Sequence, residues 1–410
     1  MITPDQFLSL VPQIQSSIHK YIQLTSPSPN SNLPNLLPFY SAYNKDNQLL
    51  ESIYSRVKSL HSSLYCFFDE DTLINYQQPE DRYKSLAYAQ NRTKVSASKV
   101  QSASRLFSLY HQLINFYQLN PLISPTIADI GSGCGTLGVS FSLLVNAQKL
   151  SSLDINPYFD FREIYHPSFD LPQNLKSVVL GQPTNLPIST SVPDSLSIPD
   201  IRYIPASIIN QVNNLSPETL DNFLSSSYNH RSVDAIQGLQ SLDSASTDII
   251  LLLSGLDYYN LPDLVHHISR ICSPNGLFFL STGSFFSPFG SGMNLPGLFP
   301  YSHTQYSKSD FLSLMQDCDY PFLDLLNSSY YFKSTHYSFS DIVEIFSSSG
   351  FRLIYHYFDP DRSARSFLEQ ASSPSIFLDL SVTDSGDPHS NVSTFDLESR
   401  YFFLGFIKQP

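Results

Sequence analysis

The sequence predicts an α/β fold built on a mostly parallel sheet, and three observations predict it. The first is the stretch Thr126 to Gly138. Ile127, Ala128 and Ile130 form a short apolar run suited to a buried strand, and Gly131, Gly133 and Gly135 follow at every second position. Leu137, Val139, Phe141, Leu143 and Leu144 then recur at near-helical spacing. Strand, glycine-rich turn and helix make the first half of a βαβ unit, whose turn can lay backbone N–H groups and a helix N-terminus against a ligand. The second observation is Lys149 to Asp154, a second short strand that closes on an acidic residue about 20 residues further on, the spacing of a ribose carboxylate in such a unit. The third is that apolar strands and amphipathic helices keep alternating to the C-terminus.

The turn reads Asp129-x-Gly131-x-Gly133-x-Gly135, and Thr136 breaks the dinucleotide fingerprint, which needs a glycine three residues after the second one. The pattern resembles motif I of the class I S-adenosylmethionine-dependent methyltransferases, a Rossmann-like family with a seven-stranded sheet whose last strand is antiparallel. The resemblance implies S-adenosylmethionine as cofactor. It also implies that the glycines admit the methionine moiety, that Asp129 orders the loop, and that Asp154 holds the ribose hydroxyls. Asp129, Gly131, Ser132, Gly133, Gly135, Asp154 and Ile155 are therefore the expected cofactor residues on this side of the sheet.

Beyond Asp154 the chain is long and rich in Pro, Ser and Asn, so residues 157–230 read as an insertion, with a short helix opening at Ser216 before Pro217. Ser232 to Gly238 is expected as the third strand and Thr247 to Gly255 as the fourth, with Asp248 at the position where the family opens that strand with Asp. Leu239 then stands where the family often carries an acid for the adenine amino group, and its neighbour Gln240 is the expected replacement, with Ser254 completing the cofactor set. Leu261 to Cys272 reads as a helix, and Ser273 to Gly276 as the turn into a fifth strand at Leu277 to Ser281. Residues 283–335 are a second insertion. His336 to Tyr355 supplies the last helix and sixth strand, and Arg400 to Ile407 the closing strand.

Residues 119–410 thus form the methyltransferase-like domain, and residues 1–118 an N-terminal helical extension. Helices are expected over 3–23, 44–66 and 79–118, with a Pro- and Ser-rich linker at 24–38. The extension offers a surface for a protein partner. Arg82, Lys84, Arg92, Lys94, Lys99 and Arg105 make one stretch locally basic, which suits either a solvated helix face or an anionic partner such as RNA.

Composition narrows the chemistry. With 410 residues, 41% of them hydrophobic and 14% charged, the chain is globular; its net charge of −13 argues against a broad nucleic-acid surface. Cys66, Cys134, Cys272 and Cys318 show no zinc or disulfide spacing, so no metal is expected, and no apolar run spans a membrane. The reading is a cytoplasmic enzyme. Methyl transfer from a sulfonium depends chiefly on positioning, so catalytic residues are sought at the carboxyl end of the fourth strand. There Ser254 to Asn260 lacks the Asn/Asp-Pro-Pro motif of amino-nitrogen methyltransferases, leaving Asp257, Tyr258 and Tyr259 as candidates to orient an acceptor. A small molecule or a protein is the favoured acceptor. RNA, and a non-catalytic partner subunit of the same fold, are the alternatives.

Overall fold

The computed structural model of the chain describes residues 97–166, 169–181, 204–256, 259–284, 286, 337–360, 392–393, 396–397 and 399–410. The helices expected over 3–23 and 44–66, residues 79–96 of the third, and Asp257 and Tyr258 lie outside the described residues. The chain divides into two compact units. One comprises residues 80–282, 341–359 and 401–410; the other comprises 1–79, 283–340 and 360–400.

The first unit is built on the sheet. Helix α1 (Ala97–Phe116) leads into β1 (Thr126–Ile130), followed by α2 (Thr136–Leu144) and β2 (Lys149–Asp154). Four helices come next: α3 (Phe161–Ile164), α4 (Leu171–Val179), α5 (Ala206–Asn213) and α6 (Pro217–Ser226). Then β3 (Tyr228–Ser232), α7 (Ala235–Gln240), β4 (Thr247–Leu252), α8 (Leu261–Ile271) and β5 (Cys272–Gly283) alternate, and α9 (Phe339–Ser348), β6 (Phe351–Pro360) and β7 (Ser399–Lys408) close the fold. The strand order is β3-β2-β1-β4-β5-β7-β6. The first five strands pair parallel, with Ile130 beside Leu153 and Asp129 beside Leu251, and the sheet as a whole is mostly parallel with one antiparallel strand. The order turns outward in two directions from β1 and β4, and the crevice between them is where open α/β sheets place ligands.

Both faces of the sheet are buried, as a parallel sheet requires. On one face Phe107, Tyr110, Leu137, Phe141, Leu175 and Phe223 pack with Ile127, Leu251, Phe279 and Phe403. On the other, Phe278, Phe346 and Phe406 stack on one another, with centroids 4.4 to 6.1 Å apart, and Phe351 closes the cluster. Helix α8 begins as its sequence predicts: Asn260 accepts from Asp263 N at 3.1 Å, and Pro262 occupies the first turn, where no N–H is needed. Ser216 caps α6 in the same way, accepting from Thr219 N at 3.1 Å.

Three expectations are corrected. The third strand is Tyr228–Ser232, not Ser232 to Gly238. Asp234 accepts from Ile236 N and Gln237 N and so starts a helix where a strand was expected. Consequently residues 157–230 are not one loop, since four helices and the first three residues of β3 lie within them. Finally, Ser273 to Gly276 does not precede β5 but belongs to it, through an irregularity in the pairing with β4 that Asn275 absorbs at φ +63°.

In the second unit Asp396 gathers the described residues. Its carboxylate accepts from Phe339 N at 2.6 Å, Ser393 N at 2.8 Å and Ser393 Oγ at 2.6 Å, and its carbonyl accepts from Ser284 Oγ at 2.7 Å. The first N–H of α9 thus bonds this distant carboxylate.

Candidate functional site

The site grows from the end of β1. Gly131, Gly133 and Gly135 all take positive φ, at +62°, +53° and +69°, so the alternation in sequence is an alternation of left-handed residues in space. This backbone doubles back tightly enough to bring Gly133 N within 2.8 Å of Asp154 Oδ2 at the end of β2. The other oxygen, Oδ1, accepts from Asn156 N at 2.8 Å. One carboxylate thus ties the turn to the loop after β2. Burial raises the Asp154 pKa, and the two N–H donors oppose that rise. Ser132 is held twice, its N–H donating to Leu153 O at 3.2 Å and its Oγ accepting from Ser152 Oγ at 2.6 Å.

Each glycine meets something different. A side chain at Gly135 would press within 3.3 Å of Phe161 and of the Tyr228 hydroxyl, and that hydroxyl in turn accepts from Phe161 N at 3.1 Å. At Gly131 a Cβ would sit 3.5 Å from the Tyr259 hydroxyl and 3.6 Å from Ser254 O, which brings the end of β4 beside the turn. At Gly133 nothing lies within 4 Å of that position. The turn is therefore packed on two sides and open at its middle.

Asp129 lies behind the turn, 4% exposed, with its Oδ2 only 2.3 Å from where a Cβ on Gly138 would be. Gly138 in the first turn of α2 is what lets the helix sit on this carboxyl. Burial lifts Asp129 to about 7; the charge of Lys99 in α1 acts to lower it, and Asp154 to raise it further. Ile155, Asn156 and Tyr158 follow Asp154. Ile155 and Tyr158 are 39% and 42% exposed, apolar groups left uncovered beside the carboxylate, while Asn156 is buried and accepts from Tyr158 N at 2.9 Å.

Of the expected cofactor residues, the structure brings together Asp129, Gly131, Ser132, Gly133, Gly135, Asp154, Ile155 and Ser254. Gln240 is not among them. It ends α7 with its Nε2 3.4 Å from His267 Nε2 of α8, and Leu239 beside it is wholly buried. Tyr259 reaches the turn, whereas Asp257 and Tyr258 lie outside the described residues. Asp234 was missed because the strand register was missed. It follows β3 directly, where Val233 N donates to the backbone carbonyl of Asp154 at 2.9 Å, and its carboxylate accepts from Ile236 N and Gln237 N at the start of α7. Among the described residues no group of three His, Cys, Asp or Glu is arranged to hold a metal, Cys134 and Cys272 are free thiols, and no helix is long and apolar enough to cross a membrane. A concavity of about 470 Å³ lined by Thr126, Gln148, Lys149 and Tyr228 lies at the opposite, amino ends of the strands and takes no part in this arrangement.

No protein-family model and no curated protein matches the chain. Solved structures do. Geranyl diphosphate C-methyltransferase from Streptomyces coelicolor A3(2), in complex with Mg²⁺, geranyl diphosphate and S-adenosyl-L-homocysteine, is 11% identical over 74% of this chain and 80% of its own, with a TM-score of 0.33. The complex of the Haloferax volcanii Trm112 methyltransferase activator with a candidate methyltransferase gives 12% identity over 75% and 91%, with a TM-score of 0.29. The (4+2)-cyclase SpnF gives 10% identity over 75% and 80%, with a TM-score of 0.34. These likenesses are of fold alone, and the strand order β3-β2-β1-β4-β5-β7-β6 is that of a seven-stranded Rossmann-like sheet.

Proposed function

We propose that the chain is an S-adenosylmethionine-dependent methyltransferase whose cofactor lies across the Gly131–Gly135 turn. The observation that carries this reading is Asp154, which ends β2 with one oxygen on Gly133 N beside the open face of the turn. A carboxylate there suits paired ribose hydroxyls, and an open glycine backbone suits a flexible amino-acid tail. Asp234 takes the adenine-edge role first expected near Leu239, and Ile155 and Tyr158 supply apolar surface for the base. Bound there, S-adenosylmethionine supplies a methyl carbon activated by its sulfonium. The protein's own work is to hold donor and acceptor in line and exclude water. Tyr259, with its hydroxyl beside Gly131 and its backbone N–H fixed on Leu256 O at 3.1 Å, orients the acceptor, and Asp257 and Tyr258 remain proposed partners in that role.

The favoured acceptor is a small molecule or a protein segment. The net charge of −13 and the two long insertions support that choice over bulk nucleic acid. Incubation with methyl-labelled S-adenosylmethionine and separated metabolite, protein and RNA fractions tests the reading. Label is expected in the metabolite or protein fraction. Label in RNA alone would overturn the acceptor, and no label together with no cofactor binding would leave a non-catalytic subunit of the same fold.

A further inference from the structure

Among the described residues, six bury a side-chain nitrogen or oxygen that meets no hydrogen-bond partner: His111, Ser140, Ser142, His230, His267 and Ser281. Buried polar groups are nearly always paired, so each such orphan calls for a reason. His111, Ser140, Ser142 and His267 lie on helices, and His230 lies on the outermost strand, β3. Ser281 differs from them. It is 1% exposed, near the carboxyl end of β5, an interior strand of the sheet.

Its distance from the glycine-rich turn follows from the strand registers. Asp129 of β1 lies beside Leu251 of β4, and Leu251 beside Phe279 of β5. Two residues further along each chain come Gly131, Leu253 and Ser281. With neighbouring strands about 4.8 Å apart, Ser281 stands about 10 Å from Gly131, a span that a small molecule covers. Side chains alternate along a strand, so Ser281 shares a face with Phe279, and Leu253 shares it with Leu251. Phe279 lies below Ser281 on that face, stacked on Phe403 with centroids 6.2 Å apart, and Leu253 lies beside it. None of these side chains offers a polar atom. A partner for the hydroxyl must therefore come from the carboxyl end, where open α/β sheets receive their ligands.

For the fold alone, serine is the costlier residue here, since alanine fills the same space and leaves no orphan. Such costs are tolerated where function needs them. Resting on the methyltransferase reading above, we infer that Ser281 is a specificity-determining residue whose hydroxyl hydrogen-bonds an oxygen of a small methyl acceptor. Tyr259 stands on the Gly131 side of that acceptor, and Ser281 on the far side of Leu253. A hydroxyl this deeply buried is reached by a small molecule and not by the chain of a macromolecule.

Full-length wild type and Ser281→Ala are compared with methyl-labelled S-adenosylmethionine and the metabolite fraction of the source cell. Ser281→Ala should transfer label roughly tenfold more slowly, as for one lost hydrogen bond, with its KM for S-adenosylmethionine within about twofold. It should bind S-adenosylhomocysteine as the wild type does, and its thermal midpoint should rise by about 2 to 4 °C. A residue that merely supports the fold would not give a slower and more stable protein. Unchanged transfer, a lowered midpoint or weakened S-adenosylhomocysteine binding would overturn the inference, as would wild-type label in protein or RNA alone. Wild type that binds S-adenosylhomocysteine but transfers no label would overturn the inference and leave the cofactor reading in place. Wild type that neither binds nor transfers would overturn both.

Discussion

Asp154 holds two backbone N–H groups with one side chain, and its removal would leave two partly buried donors unpaired. Asp154→Ala should therefore cost about 2 kcal/mol of stability, on the scale of an unpaired buried donor. Denaturant unfolding measures it, and an unchanged midpoint would show that the turn does not depend on this carboxylate. Asp129 makes a prediction in pH. Its carboxyl is raised from 3.8 to about 7, so between about pH 4 and 7 the folded chain holds a proton that the unfolded chain has released. Its contribution to stability is full at and below about pH 4, falls as pH rises across that window, and is flat above it. Asp129→Asn should remove that slope from a pH series of unfolding free energies. Gly138→Ala should cost about 1 to 3 kcal/mol, because its methyl would fall 2.3 Å from Asp129 Oδ2. At this scale the sequence spoke clearly wherever spacing and chemistry agreed, as with the alternate glycines and Asp154. It was silent on Asp234, whose position depends on where a strand ends.

Elements were legible in proportion to their apolar content. β1, β4 and the middle of β5 are buried between helices and read as continuous apolar runs, while Ser216 announced its helix by cap and proline. β3 gave no such signal. Tyr228 to Ser232 is Tyr-Asn-His-Arg-Ser at the end of the sheet, and Val233, Ala235 and Ile236 just beyond it look more strand-like. Only the cap at Asp234 separates the two, and a residue that starts a helix can equally end a strand. The sixth and seventh strands were placed correctly because β6 and β7 bring Phe351 and Phe406 to the aromatic cluster under α9. Phe346 is fully buried at its centre, so Phe346→Ala should cost about 3 to 5 kcal/mol by chemical denaturation. A loss below about 1 kcal/mol would mean that this face of the sheet is not packed as described.

For the whole molecule, the sheet order and the parallel pairing of β3, β2, β1, β4 and β5 converge on one place, the carboxyl ends of β1 and β4 with β2 beside them. Open α/β sheets place ligands at such a point, but the fold names no acceptor, since one architecture serves many chemistries. What the sequence could show of function was the half of the site built from backbone and two carboxylates. The acceptor half depends on side chains whose roles are set by shape rather than by spacing. The central claim is therefore about the ligand on the turn. Calorimetric titration of full-length protein with S-adenosylhomocysteine, alongside Asp154→Ala, tests it most directly. The account predicts single-site binding by the wild type and its loss in the variant. Equal binding by both proteins, or no binding by well-folded wild type, would contradict it.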